Sequence, residues 1–215
     1  MDKKTVSNPN LIEPLLFQFK KIIPYLPKFI TTYNLTLISI LWSISILYFG
    51  CKSLKNINYL YFLILFILLH IITDSIDGSV GRYRNTDAIK WGYFMDHLLD
   101  FIISNCILFV LYLNLKKFRN SLFIGNFLIN LGLVITFLSL SDDGMNISYC
   151  YDKYCIGPSD GLILLTIFIY YIINTNRNVN KYFVYGILII ITLLNFRKIY
   201  NTQKKLHIID MKIKY

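Results

Sequence analysis

Asp74, Asp77, Asp96 and Asp100 stand in a strongly apolar part of the sequence, in the runs Asp74-Ser-Ile-Asp77-Gly78-Ser-Val-Gly81-Arg82 and Gly92-Tyr-Phe-Met-Asp96-His97-Leu-Leu-Asp100. A carboxylate at membrane depth costs about 2.5–3.5 kcal/mol on insertion scales, so four uncompensated ones cost on the order of 10 kcal/mol. Their spacing suggests what offsets that charge. Asp74 and Asp77 are three apart, and Gly92, Asp96 and Asp100 follow at intervals of four; on helices each set shares a face. Two helix ends joined by a short loop would aim both carboxylate pairs at one point. Carboxylate oxygens suit Mg²⁺ or Mn²⁺, ions commonly held by protein carboxylates together with substrate phosphates. Gly78, Gly81 and Gly92 remove side chains where a phosphorylated ligand must approach backbone. Arg82 offers a forked guanidinium to phosphate oxygens. The chemistry this points to is metal-assisted chemistry on a phosphate.

The histidines fit less directly. His97 follows Asp96 and so points about 100° away from the aspartate stripe, as a packing or neighbouring polar residue. His70, inside an apolar run, and His207 have no partner visible in the sequence.

The elements that must position the aspartates are membrane-spanning helices. The chain has 215 residues, 55% apolar and only 16% charged, where a soluble domain is about a quarter charged. No charge interrupts residues 29–51, 56–73, 120–141, 161–176 or 182–196. A span needs about 20 apolar residues. With a further helix that starts near Trp91 and carries Asp96 and Asp100, this gives an all-α integral membrane bundle of about six transmembrane helices. Spans are predicted near 31–50, 57–78, 89–114, 120–140, 160–175 and 181–200. An N-terminal amphipathic interfacial helix is predicted at 9–26, where Leu15, Leu16, Phe17 and Phe19 mix with Lys20 and Lys21. The chain thus divides into residues 1–30, a membrane domain at 31–200 and a basic tail at 201–215.

The net charge of +10, from 22 Lys+Arg against 12 Asp+Glu, reads as contact with anionic lipid and not with nucleic acid. Basic residues gather at both ends, at Lys3, Lys4, Lys20, Lys21 and Lys28, and at Arg197, Lys198, Lys204, Lys205, Lys212 and Lys214. That places both termini on the cytoplasmic side of a multi-pass protein, and the loop with Arg82, Arg84 and Lys90 beside them. Cys51 and Cys106 read as small apolar fillers. Cys150 and Cys155 would lie in a reducing compartment and lack the further ligands of a zinc site.

The run from Asp74 to Asp100 resembles the signature of the CDP-alcohol phosphatidyltransferase family, D-x2-D-G-x2-A-R-x(8 or 9)-G-x3-D-x3-D. Asp74, Asp77, Gly78, Arg82, Gly92, Asp96 and Asp100 match, and Gly81 replaces the usual Ala with another small residue. The resemblance implies an enzyme that transfers a phospho-alcohol group from a CDP-linked donor to the hydroxyl of a lipid or small-alcohol acceptor in phospholipid biosynthesis, releasing CMP. It implies that Asp74, Asp77 and Asp96 ligate a pair of divalent ions. Asp100 would complete the second site or act as general base, and Gly78, Gly81, Arg82 and Gly92 would shape the CDP pocket. It also suggests a homodimer.

The alcohol is less marked. Loop 141–159 carries Asp142, Asp143 and Asp152 with Tyr149, Tyr151 and Tyr154, a composition suited to a cationic head group. Gly157-Pro158-Ser159-Asp160 resembles, with Asp for Glu, the Gly-Pro-Thr-Glu stretch of choline/ethanolamine phosphotransferase-like members; it reads equally as a turn and helix cap. Two other classes use aspartates in membranes. An intramembrane prenyltransferase would make product from a prenyl diphosphate, and a small cation transporter would carry ion flux without binding nucleotide.

Overall fold

In the computed structural model, which describes residues 21–84, 89–141 and 158–213, no strand occurs among the described residues. Six helices follow one another: α1 Thr32–Ser53, α2 Leu60–Arg84, α3 Ile89–Asn114, α4 Arg119–Ser141, α5 Pro158–Asn174 and α6 Lys181–Ile213. Short 3-10 turns occupy Ile23–Tyr25, Ile57–Tyr59 and Lys116–Phe118. Three stretches, Thr32–Ser53, Ile57–Gly81 and Phe94–Asn114, are each long and apolar enough to cross a membrane; Gly161–Asn174 is a shorter apolar helix.

The six predicted spans coincide with the six helices, with two extensions. Helix α2 continues past residue 78 to Arg84, and α6 past residue 200 to Ile213, so most of the basic tail is helical. No Gly or Pro interrupts residues 187–213, and the Gln, Lys and Leu there are good helix formers. At the other end, residues 9–20 of the predicted interfacial helix lie outside the described residues. Residues 21–26 depart from it, forming a short 3-10 turn at Ile23–Tyr25, after which Leu26 is extended with ψ 133°. Pro27 causes this, because it disfavours the helical region for the residue before it.

Helix α1 begins at Thr31, whose side chain accepts the Asn34 N–H at 3.3 Å, one of the amides a helix start leaves unpaired. Its buried residues are Thr32, Thr36, Ser39, Ser43, Ile46, Gly50 and Ser53, at alternating intervals of four and three that make one continuous seam. The large residues Leu37, Leu41, Ile44 and Tyr48 point outward. Lipid is as apolar as leucine, so small inward residues that permit close backbone approach hold such helices together. At Gly50 the approach is extreme: a Cβ there would lie 2.8 Å from Val110 Cγ1 and nearer still to Cγ2.

Helix α1 packs on α2 and α3, α5 packs on α2, and α6 on α4. The apolar core runs through Leu63, Ile67, Ile103, Ile107, Leu111 and Ile169, all fully buried. At the end of the bundle where α1, α3 and α5 finish, a polar lock joins them. Asn114 Nδ2 donates to Ser53 Oγ at 2.8 Å, and Arg177 Nε donates to Asn114 Oδ1 at 3.2 Å while its Nη2 donates to the Ser53 carbonyl. Arg177 reaches them from the left-handed backbone region, φ 65°, a conformation that closes α5 through its N–H to the Ile172 carbonyl at 3.0 Å. Cys51, on α1, is exposed, and Cys106, on α3, is half-buried. Cys150 and Cys155 lie outside the described residues.

Candidate metal centre

The four aspartates lie toward the opposite end, where α1 starts, α2 finishes and α3 starts. Residues 70, 74 and 77 fall one turn apart along a single face of α2, and 96 and 100 along a face of α3. The two helices bring all four carboxylates together in two overlapping groups. Ligand atoms of Asp74, Asp77 and Asp96 lie within 4.8 Å of one another, and so do those of His70, Asp74 and Asp100. Asp74 belongs to both groups. Asp77 and Asp100 are buried, whereas Asp74 and Asp96 are part-exposed, so the cluster has a closed floor and a more accessible side.

The surrounding helices hold the floor in place. Thr36 Oγ1 donates to Asp77 Oδ2 at 3.0 Å, and Thr32 Oγ1 donates to the Asp77 carbonyl at 3.2 Å. His70 Nε2 lies 3.3 Å from Asp100 Oδ1, and its Nδ1 lies 3.2 Å from Ser39 Oγ. The hydroxyl seam of α1 therefore supports one carboxylate directly and another through an imidazole. Polar groups at this depth need such partners. Tyr33 and Trp91 bring the starts of α1 and α3 together, with ring centroids 4.4 Å apart.

Of the residues that the sequence marks, Asp74, Asp77, Asp96 and Asp100 converge, and Gly81 is buried on α2 beside them in sequence. Gly78 and Arg82 fall on α2 and Gly92 on α3, but their side-chain positions lie outside the described residues, as do Asp160 and the acidic loop at 142–157. His97 is half-buried. Sequence reasoning misses Thr32, Thr36, Ser39 and His70. Two signals for them are present: the four-three spacing of hydroxyl and small residues on α1, and a histidine one turn before Asp74.

Arg84, in sequence only a basic loop charge, instead ends α2 by gripping the segment that enters α1. Its Nη1 donates to the carbonyls of Lys28, at 3.3 Å, and Ile30, and its Nη2 to those of Leu26 and Pro27 at 2.9 and 3.0 Å.

The donor set fits a divalent cation. Four carboxylates on two facing helices provide hard oxygen ligands and negative charge that a cation would neutralise, matching the preferences of Mg²⁺ and Mn²⁺. Compared with known proteins, residues 24–196 match a family model described as CDP-alcohol phosphatidyltransferase. No curated protein matches the chain, and no solved structure does.

Proposed function

The chain belongs to the CDP-alcohol phosphatidyltransferase family, and from that premise we propose that Asp74, Asp77, Asp96 and Asp100 form its catalytic centre. Members are membrane transferases of phospholipid synthesis that move a phospho-alcohol group from a CDP-alcohol to an acceptor alcohol, generally with a divalent metal. The observation that carries the site assignment is the convergence of Asp74, Asp77 and Asp96 in one group and of Asp74, Asp100 and His70 in another, with Asp74 common to both.

Asp74, Asp77 and Asp96 would hold one ion, and Asp74 with Asp100 would border a second. Mg²⁺ or Mn²⁺ bound there supplies positive charge to the diphosphate and to the departing CMP. The chain's own residues do the rest. By their match to the family signature, Gly78, Gly81 and Gly92 would leave room for the CDP group, and Arg82 would pair with its phosphate oxygens. Asp100 takes the proton of the acceptor hydroxyl. The acceptor oxygen bonds to the phosphorus bearing the donor alcohol, the bond from that phosphorus to the bridging oxygen breaks, and CMP leaves. The basic ends and the Arg82–Lys90 region support a site opening on the cytoplasmic face, where a soluble nucleotide and a lipid meet. The acidic, tyrosine-containing stretch at 142–154 supports choline or ethanolamine as the donor alcohol.

The test is CMP release by purified full-length protein across a panel of CDP-alcohols and acceptors. Release should require Mg²⁺ or Mn²⁺, stop with EDTA and vanish in Asp100→Asn. Release from CDP-diacylglycerol with glycerol 3-phosphate or inositol, and none from CDP-choline or CDP-ethanolamine with diacylglycerol, would reject the cationic head group. No release from any CDP-alcohol would reject the site reading.

A further inference from the structure

We propose that His70 is a positioning residue for Asp100, oriented in turn by Ser39, an inference that rests on reading Asp100 as the base. His70 is 1% exposed and lies on α2 one turn before Asp74. Its two ring nitrogens face partners on two other helices: Asp100 Oδ1 on α3 at 3.3 Å and Ser39 Oγ on α1 at 3.2 Å.

The chemistry of the partners fixes the direction of these bonds. An ionised carboxylate only accepts, so Nε2 carries the hydrogen and donates it to Asp100. Nδ1 is then the acceptor, and the hydroxyl that can supply its hydrogen is that of Ser39. Both nitrogens are satisfied, as a fully buried imidazole requires. One oxygen of Asp100 is committed to His70, which restricts rotation of the carboxylate and assigns the acceptor's proton to the other oxygen. Each of three helices contributes one residue, so the orientation of the base is tied to the packing of the bundle.

The competing role for His70 is direct ligation of an ion with Asp74 and Asp100, whose ligand atoms lie within reach. That role needs the opposite tautomer, with the Nε2 lone pair on the ion. It also puts nitrogen into an otherwise all-carboxylate set, an unusual donor for Mg²⁺. The observed geometry already uses Nε2 on Asp100.

Glutamine and asparagine separate these roles in the full-length protein. The amide nitrogen introduced by His70→Gln reaches where Nε2 stands, whereas the shorter amide of His70→Asn matches only Nδ1. CMP release should fall about 10- to 100-fold in kcat for His70→Asn and His70→Ala, as for the loss of other residues that orient a site group. KM for the CDP-alcohol and the half-saturating metal concentration should hold. His70→Gln should recover most of the loss, and Ser39→Ala should lose less than His70→Ala. Thermal unfolding in detergent reads the fold of each variant; where His70→Ala does not fold, the Gln and Asn pair decides. His70→Gln no better than His70→Asn, or wild-type kcat in His70→Asn, overturns the proposal. So does a loss that excess metal restores, which would make His70 a ligand. Asp100→Asn separates the two levels: an active Asp100→Asn removes the base reading itself, whereas an inactive one beside an active His70→Asn rejects the positioning role alone.

Discussion

Replacing Thr36 by valine removes one hydroxyl from beneath the carboxylate cluster and preserves the branched shape of the side chain. Thr36 is 1% exposed and Asp77 4%, so neither group can turn to water for a substitute. The lost bond is Thr36 Oγ1 to Asp77 Oδ2, 3.0 Å. A hydrogen bond to a charged group is worth about 1.5–3 kcal/mol. The low end applies, because the single hydroxyl hydrogen also has the Thr32 carbonyl at 3.0 Å as an alternative acceptor. Asp77 keeps its backbone tie to Thr32 Oγ1 at 3.2 Å, so the helix stays in place while the carboxylate loses one of the bonds that orient it. About 1.5 kcal/mol corresponds to roughly tenfold in a binding constant. The half-saturating Mn²⁺ concentration for CMP release should therefore rise about tenfold in Thr36→Val. Thr36→Ser keeps the hydroxyl and should stay near wild type. A Thr36→Val titration that overlays wild type, or a larger shift in Thr36→Ser, would show that the Thr36 hydroxyl does not orient Asp77 for metal binding.

Three further substitutions test the frame around the site. Gly50→Ala drives a methyl into Val110 and should lower stability by about 1–3 kcal/mol; adding Val110→Ala should restore much of it, and a Gly50→Ala melting curve in detergent equal to wild type counts against the close α1–α3 contact. Arg177→Ala strips a donor from Asn114 and from the Ser53 carbonyl, at a cost of about 1–3 kcal/mol, again read by thermal unfolding; an unchanged midpoint would show the lock to be idle. Arg84→Ala frees the carbonyls of residues 26–28 and 30, so trypsin should cut after Lys28 faster, as seen by mass spectrometry. An unchanged cleavage rate would mean that something other than Arg84 secures that segment.

The aspartates are legible in the sequence because their information is local. Intervals of three and four with interleaved glycine define a helix face without reference to the rest of the chain. The helices are legible for a similar reason, since charge-free length alone marks a span. His70 is not, because its partners are 31 and 30 residues away and only the packing of three helices joins them. The seam of α1 is written in the sequence but with little contrast: its outward face is apolar too, so the inward one stands out only by small size. Arg84 looks like any basic loop residue, since nothing local shows that it grips carbonyls more than fifty positions earlier. Pro24 and Pro27 are visible breaks, yet the predicted interfacial helix runs through the first of them, where the chain forms only a turn.

Asp74 is common to both ligand groups, and on the proposed reading it would serve two adjacent cation positions. Counting bound Mn²⁺ on the purified protein with a CDP-alcohol present tests it most directly. Two ions per chain are expected for wild type, one fewer for Asp77→Asn, and neither for Asp74→Asn. A single ion in wild type, or an Asp74→Asn protein that still holds as many ions as Asp77→Asn, would mean that Asp74 does not join two cation positions.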